Sequence, residues 1–362
     1  MMWKNPKVWE AVPFMVMVAM EGFTIALTIW AKTVLTNGMS PFVFVVYSHA
    51  LSSLILLPYS FIFHCRDRTE QPWFTFGLFL RLFFMGLTGI TIAQNLAFLG
   101  LSYSSPIVVC TMGLMNQALS FLLSLILRRT KIDLGSSSFV VKVIGTIISS
   151  MGATMVELYK GPAIRNSSSR LSLNAASKFL IFSSTPEYWI LGGLLLAAAN
   201  LSVSVWNVLQ MGTVKQYPQV MKVVSFYSLF GTIQTAILSL VLERDPNAWK
   251  IDLNSDLLPI ILTAVFGGLI RSRVHVWCMR KKGPNYVPMF KPFGLVFATI
   301  FGVILSAIHY GSVIGTAIVA VGYFTVMWGQ TNEEEAQVKD GFESEENSEQ
   351  KVPLLQEDMD IV

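Results

Sequence analysis

Charge is what this chain has least of. Asp, Glu, Lys and Arg make up 13% of its 362 residues, while 53% are hydrophobic. Soluble domains carry about 25% charged residues, so an ordinary soluble globule is excluded. Cysteine is scarce as well. Cys65, Cys110 and Cys278 lie far apart and offer no disulfide framework. No Cys-x-x-Cys or His-x-x-x-His pair occurs, so neither a metal nor any other cofactor is expected. Without a Gly-x-x-x-x-Gly-Lys-Ser/Thr loop, ATP is not read as the direct energy source. Also missing is the polar–apolar alternation of a membrane-spanning β-barrel.

What remains is a set of long apolar runs. A hydrocarbon core about 30 Å thick needs about 20 apolar residues per helix. Ten stretches qualify, near 11–31, 42–63, 82–101, 107–127, 139–157, 189–210, 221–242, 257–278, 288–307 and 309–328. The first has no small-residue cleavage site and reads as a span rather than a signal peptide. The fifth and tenth carry nearly the same text. Val143-Ile144-Gly145-Thr146 has Gly152 seven residues after Gly145, and Val313-Ile314-Gly315-Thr316 has Gly322 seven residues after Gly315. The chain therefore reads as one five-span unit present twice. Five is odd, so the second copy enters from the opposite side. The expected fold is an all-α membrane protein of ten transmembrane helices in two inverted five-helix repeats, the architecture of carriers with a mid-membrane site.

The division expected is a first repeat over 1–160, an external linker loop over 161–188, a second repeat over 189–330 and an acidic cytoplasmic tail over 331–362. That tail holds eleven acids and two lysines, −9 of charge, which leaves +13 on the body. Nucleic acid is not the expected partner of that positive charge, because the basic residues sit in short loops between spans. Lys4 and Lys7, Arg66 and Arg68, Arg128, Arg129 and Lys131, Lys215 and Lys222, and Arg280 to Lys282 all fall on one side. Positive loops stay cytoplasmic, so both termini are placed inside. The long loop 158–188 is also basic, yet it carries Asn166-Ser167-Ser168, a glycosylation acceptor that suits the external face. The tail is polar, acidic and nearly free of aromatics, and disorder is expected there. Its Leu354-Leu355 loosely matches an acidic dileucine signal for adaptor proteins, with Gln350 in place of the usual acid. The expected residence is the plasma membrane or a vacuolar membrane. Oligomeric state is not read from the sequence.

Several stretches carry a resemblance. They are Gly38-Met39-Ser40-Pro41 followed by FVFVVYSHA, Gly100-Leu101-Ser102-Tyr103-Ser104-Ser105-Pro106, Lys282-Gly283-Pro284, and Met289-Phe290-Lys291-Pro292. The last are Gly311-Ser312-Val313-Ile314-Gly315 and Tyr323-Phe324-Thr325-Val326-Met327-Trp328-Gly329. Over 8–330 the chain resembles the plant nodulin-21-like or WAT-related (UMAMIT-type) transporters, whose EamA domains place them in the drug/metabolite transporter superfamily. The resemblance implies a ten-helix carrier of small organic solutes with EamA-type repeats. Spans 1, 3, 4, 6, 8 and 9 would surround its cavity. Amino acid export or bidirectional facilitation is the implied activity, with auxin-related and other metabolites as the alternative. The chain departs from the pattern at Ser48, where many members have Arg, and at Leu114 and Gln117, where Asn and Pro are common.

Polar groups inside lipid-spanning helices are expensive, about 2.5–3.5 kcal/mol for a centred charge on mild scales, and so nominate a polar path. The candidates for substrate binding are Glu21, Gln94, Asn95, Asn116, Gln117, Trp206, Asn207, Arg271, Arg273, His275 and Lys291. Glu21 reads either as a proton or substrate-amine site or as half of a static ion pair. Arg271 and Arg273 read as a fork for a carboxylate, or as residues at the inner surface if the helix ends early. Lys291 opposes the dipole of the helix that it opens and reads as a binding residue or as one snorkelling to the cytoplasmic face. Trp206 and Asn207 read as cavity lining or as packing. Gln94 and Asn95 point about 100° apart, so only one of them faces a narrow cavity. No nucleophile–base constellation stands out, so an enzyme is not expected. A non-transporting scaffold or sensor is the alternative of another class. A carrier whose proton rides on Glu21 loses its pH profile in Glu21→Gln, measured as solute flux; an unchanged rate and profile removes that role.

Overall fold

A computed structural model describes residues 6–64, 75–126, 137–158, 188–217, 219–250, 257–282, 286–305 and 310–349. Every regular element among them is helical. The first half contains α1 (Pro6–Thr36), α2 (Pro41–His64), α3 (Phe76–Gly86), α4 (Ala93–Tyr103), α5 (Pro106–Ile126) and α6 (Ser137–Leu158). The second contains α7 (Trp189–Gln216), α8 (Val220–Leu242), α9 (Leu257–Thr263), α10 (Arg271–Lys282), α11 (Lys291–Leu305) and α12 (Tyr310–Glu349). Lipid offers the backbone no hydrogen-bond partner, so each crossing must satisfy its own amides, and the helix does so. Proline opens α2 and α5, where its missing N–H costs nothing. Gly38, at φ 110°, turns the chain between α1 and α2 in a conformation closed to most L side chains.

Nine described stretches are long and apolar enough to cross a membrane, and a shorter apolar helix, Pro288–Phe301, stands where the ninth span is predicted. The chain is thus an all-α multi-pass membrane protein. Two differences from the sequence reading stand out. The third crossing begins at Phe76, six residues before the predicted start. The tenth helix also continues to Glu349, through residues read as a disordered tail. Its run of Glu, Ala, Gln and Lys is rich in helix formers. Glu333, just past the apolar segment, pairs with Lys142 of α6. The linker 159–187 with its acceptor sequence, and Leu354-Leu355, lie outside the described residues.

Two crossings are interrupted in the middle by a wider π-helical turn. In the third, Leu87–Ile92 joins α3 to α4; in the eighth, Ala264–Ile270 joins α9 to α10. A π turn frees backbone groups from the i→i−4 ladder. In the third crossing those carbonyls find hydroxyls: Thr88 accepts from Ser202 of α7 at 2.8 Å, and Gly86 from Thr91 at 3.4 Å.

Helices α6 and α12 share the most extensive helix–helix interface, antiparallel along their length. It is built on the repeated text. A Cβ on Gly145 would meet Val326 N at 2.8 Å and Gly322 O at 2.9 Å; one on Gly152 would meet Val319 N at 2.7 Å and Gly315 O at 2.8 Å. These contacts are backbone and cannot swing away. In lipid there is no hydrophobic drive between helices, and close backbone approach at small residues replaces it. Helix α2 packs on α8, α7 lies against α4 and α5, and α1 lies against α9, α10 and α11. Adding one methyl at this backbone contact is expected to separate α6 from α12. Gly152→Ala should cost about 1–3 kcal/mol, read as a lower thermal midpoint of the detergent-solubilised protein, while the same change at Gly113, which faces open space, should leave it near wild type.

Candidate functional site

The helices enclose a central cavity of about 620 Å³, lined from α1, α2, the third crossing, α5, α7, α8, the eighth crossing, α11 and α12. Both π turns form part of its wall, through Gly89 and Ile90 on one side and Ala264, Phe266, Gly267 and Gly268 on the other. Gly89 leaves room for the indole of Trp206, whose Nε1 would lie 2.7 Å from any Cβ there.

Eight of the eleven candidates line this cavity: Gln94, Asn116, Gln117, Trp206, Asn207, Arg271, His275 and Lys291. Three do not. Asn95 is buried and gives its Nδ2–H to Thr91 O of its own helix at 2.7 Å, so Gln94 alone of that pair faces inward. Arg273 is exposed, its guanidinium 5.0 Å from the centre of the Tyr59 ring. Two residues along a helix amount to about 200° of rotation, so Arg271 and Arg273 point apart and form no fork. Helix α10 does not end early; it runs to Lys282 and holds Arg271 inside. Glu21 stands behind the wall, 3.5 Å from Lys291 Nζ, with its side chain 4% exposed against 36% for the lysine. Lys291 therefore joins a buried carboxylate to the open cavity.

The neutral polar residues are partly tied down. Asn116 accepts from Ser204 Oγ at 2.8 Å, Gln117 donates to Gln330 Oε1 at 2.6 Å, and Asn207 donates to Ser120 Oγ at 3.5 Å. Tyr323 lines the cavity and donates its hydroxyl to Pro288 O. Three lining residues each keep a buried polar atom without a hydrogen-bond partner: Trp206 Nε1, Thr263 Oγ1 and His275 Nε2. A buried polar atom left alone costs about 1–3 kcal/mol.

The charge of the wall has one sign. Arg271 and Lys291 are both present and repel each other, and no Asp or Glu is among the described lining residues. Such a chamber suits an anionic group. Phe98, Trp206, Tyr227 and Phe266 add flat apolar surface.

The sequence reading passed over several lining residues. Thr24, Thr28, Ser48, His49, Ser52, Tyr227 and Ser228 all face the cavity. Thr24 and Thr28 are one turn apart on α1, as are Ser48 and Ser52 on α2. That i, i+4 spacing of small hydroxyls was the available signal. The Gly267-Gly268 pair was another.

The Glu21–Lys291 pair carries its own stability test. Lys291→Met strands a buried carboxylate and should cost about 3 kcal/mol. Glu21→Gln/Lys291→Met removes both charges and should recover most of the loss in thermal midpoint.

A comparison with protein-family models finds none that matches. Curated relatives do. The chain is 54% identical over 360 residues to WAT1-related protein At1g70260 of Arabidopsis thaliana, covering 96% of each chain. It is 52% identical over 359 residues to WAT1-related protein At1g60050 of the same plant, again with 96% of each covered. WAT1-related protein At5g40240 matches at 36% over 328 residues, with 90% of this chain and 88% of the relative covered. With this identity over nearly its whole length, and with the helical membrane fold and central cavity above, the chain belongs to the WAT1-related proteins of plants, an EamA-type family of drug/metabolite membrane transporters rather than enzymes.

Proposed function

We propose that this transporter is a secondary carrier of small organic solutes that bear a carboxylate, amino acids foremost, and that it works by alternating access. The observation carrying this reading is the pair of cations, Arg271 and Lys291, on a cavity wall whose described residues include no carboxylate. A guanidinium offers a carboxylate two parallel hydrogen bonds. The volume of about 620 Å³ is ample for a solute of that size. The aromatic lining favours a second reading, an auxin-related aromatic acid, whose ring would lie against Trp206 and Tyr227, two rings whose centres are 6.0 Å apart.

The packing supports two inverted five-span units. Exchanging the first five crossings for the second five maps the α6–α12 and α2–α8 pairs onto themselves. It turns α4–α7 into the contact of α1 with the eighth crossing, and α5–α7 into α1–α11. The π turns fall in the third crossing of each unit. In this reading the halves rock about the cavity, with both termini cytoplasmic, in the plasma membrane or a vacuolar membrane.

Reconstitution into liposomes with a panel of labelled amino acids and aromatic acids tests the substrate class. Flux is expected for at least one carboxylate, and none for the matching amide. Arg271→Gln should raise KM about 10–100-fold, the loss expected for a charge-assisted hydrogen bond. No flux with any acid sinks the substrate class; an unchanged KM removes Arg271 from the site.

A further inference from the structure

Lys32 stands near the end of α1, on the face of the protein opposite the N-terminus, where a lysine would be expected to reach water. It does not: the residue is 4% exposed. Its ammonium donates to Leu101 O at 2.8 Å and to Ser102 O at 2.7 Å. Those are two of the last carbonyls of α4, which have no partner within their own helix. The neighbouring carbonyl of Gly100 is already taken by Ser104, through its N–H at 2.9 Å and its hydroxyl at 2.7 Å. Among the described residues no carboxylate pairs with Lys32. A cation is thus held inside the protein by backbone carbonyls and the negative end of a helix dipole alone.

The place matters. On this face the cavity stops at Ala31 and Phe98. Above it lies one continuous buried cluster of Ala31, Val34, Leu35, Phe44, Leu101 and Ile260, drawn from α1, α2, α4 and α9. Phe98 packs on Phe44 at 5.0 Å between ring centres. Toward the N-terminal face the cavity instead reaches Val224 at the start of α8 and Val287 and Pro288 before α11. The buried clusters there are separate, with Met17, Cys278, Val287 and Phe290 in one and Leu56, Met221 and Val224 in another. Among the described residues, one continuous buried cluster covers the cavity on the face away from the N-terminus.

We propose that this cover is a seal and that Lys32 is its latch. Holding the end of α4 against α1, it keeps the α4–α5 hairpin, which turns at Ser104 and Ser105, closed over the cavity. Carbonyls suit this use better than a carboxylate would. A buried ion pair is hard to part, whereas water replaces neutral acceptors readily and repays the desolvation of the ammonium as the hairpin lifts. The latch is therefore firm when dry and loose when wet, so closure and release can alternate. Lys32 touches no solute here; it acts by positioning α4. The proposal rests on the chain being a carrier, but its first test, by labelling, needs no knowledge of the solute.

A single cysteine at Thr28→Cys, inside the cavity, in a chain whose native cysteines are replaced, reports access from each side. Reconstituted in liposomes of known orientation, the parent should react with a membrane-impermeant thiol reagent from the N-terminal face and resist it from the other. Adding Lys32→Met should raise labelling from the opposite face roughly tenfold or more. Lys32→Arg, which keeps donors for both carbonyls, should restore resistance. Equal labelling of the parent from both faces, or unchanged sidedness in Lys32→Met, overturns the latch. Should Lys32→Met fail to give monodisperse protein, the lysine is left intact and Leu35→Cys/Leu101→Cys is joined by a short bifunctional thiol reagent. Joining should then stop solute exchange until the link is cleaved, and exchange that continues through the link overturns the proposal. Absence of flux before cross-linking would count against the carrier reading, not the latch, whose sidedness is read by labelling.

Discussion

The closest constraint in this molecule is the contact between α6 and α12, where glycine backbones touch. Hydrocarbon solvates a leucine as well as another leucine does, so apolar area cannot drive these helices together as it would in water. What remains is packing and the loss of voids. The Gly145–Gly322 and Gly152–Gly315 approaches supply it, with hydroxyl contacts such as Thr111 to Thr316 at 3.0 Å nearby. The fifth and tenth crossings thereby form a fixed spine. The other helices are free to surround a chamber because this pair is not part of it, apart from Tyr323 at its edge.

A chamber in lipid that holds two cations needs compensation. Glu21 provides half of it from behind the wall, at 3.5 Å from Lys291. The residual charge is positive and borne by Arg271. The same wall keeps three buried polar atoms without partners, on Trp206, Thr263 and His275. Three such vacancies lie around this one volume and three more, on Ser40, Asn95 and Ser149, lie elsewhere; other polar side chains are satisfied. Gln234, for example, is spent on Phe83 O and Thr91.

Much of this was legible in the sequence because membrane physics is coarse. A crossing must be long and apolar, and repeated glycine spacing marks a packing face. The all-helical membrane class and the places of most crossings followed. Charges in mid-span were equally visible, and Arg271, His275 and Lys291 do reach the cavity. What the sequence could not show is helical phase. Arg271 and Arg273 look alike as text yet point apart, and Gln94 and Asn95 divide in the same way. Lys32 falls just past the first predicted span, and only the folded chain brings the end of α4 beside it. Nor does hydropathy detect a π turn, which shifts phase for every residue after it. The helical run past Gln330 was missed for a related reason: acidic composition argued against a packed core, but a helix anchored at Glu333 requires none.

The two π turns are alike in place but not in bracing. Ser202 and Thr91 hold the carbonyls of the one in the third crossing, while Thr263, at the edge of the one in the eighth, has an idle hydroxyl. The turn in the eighth crossing rests instead on its packing against α2, where Ser52 abuts Gly268. In the rocking motion proposed above, the two interruptions would resist bending by different means, hydrogen bonds in one half and side-chain packing in the other. A machine of that kind need not turn over at equal speed in both directions, even when its halves descend from one design.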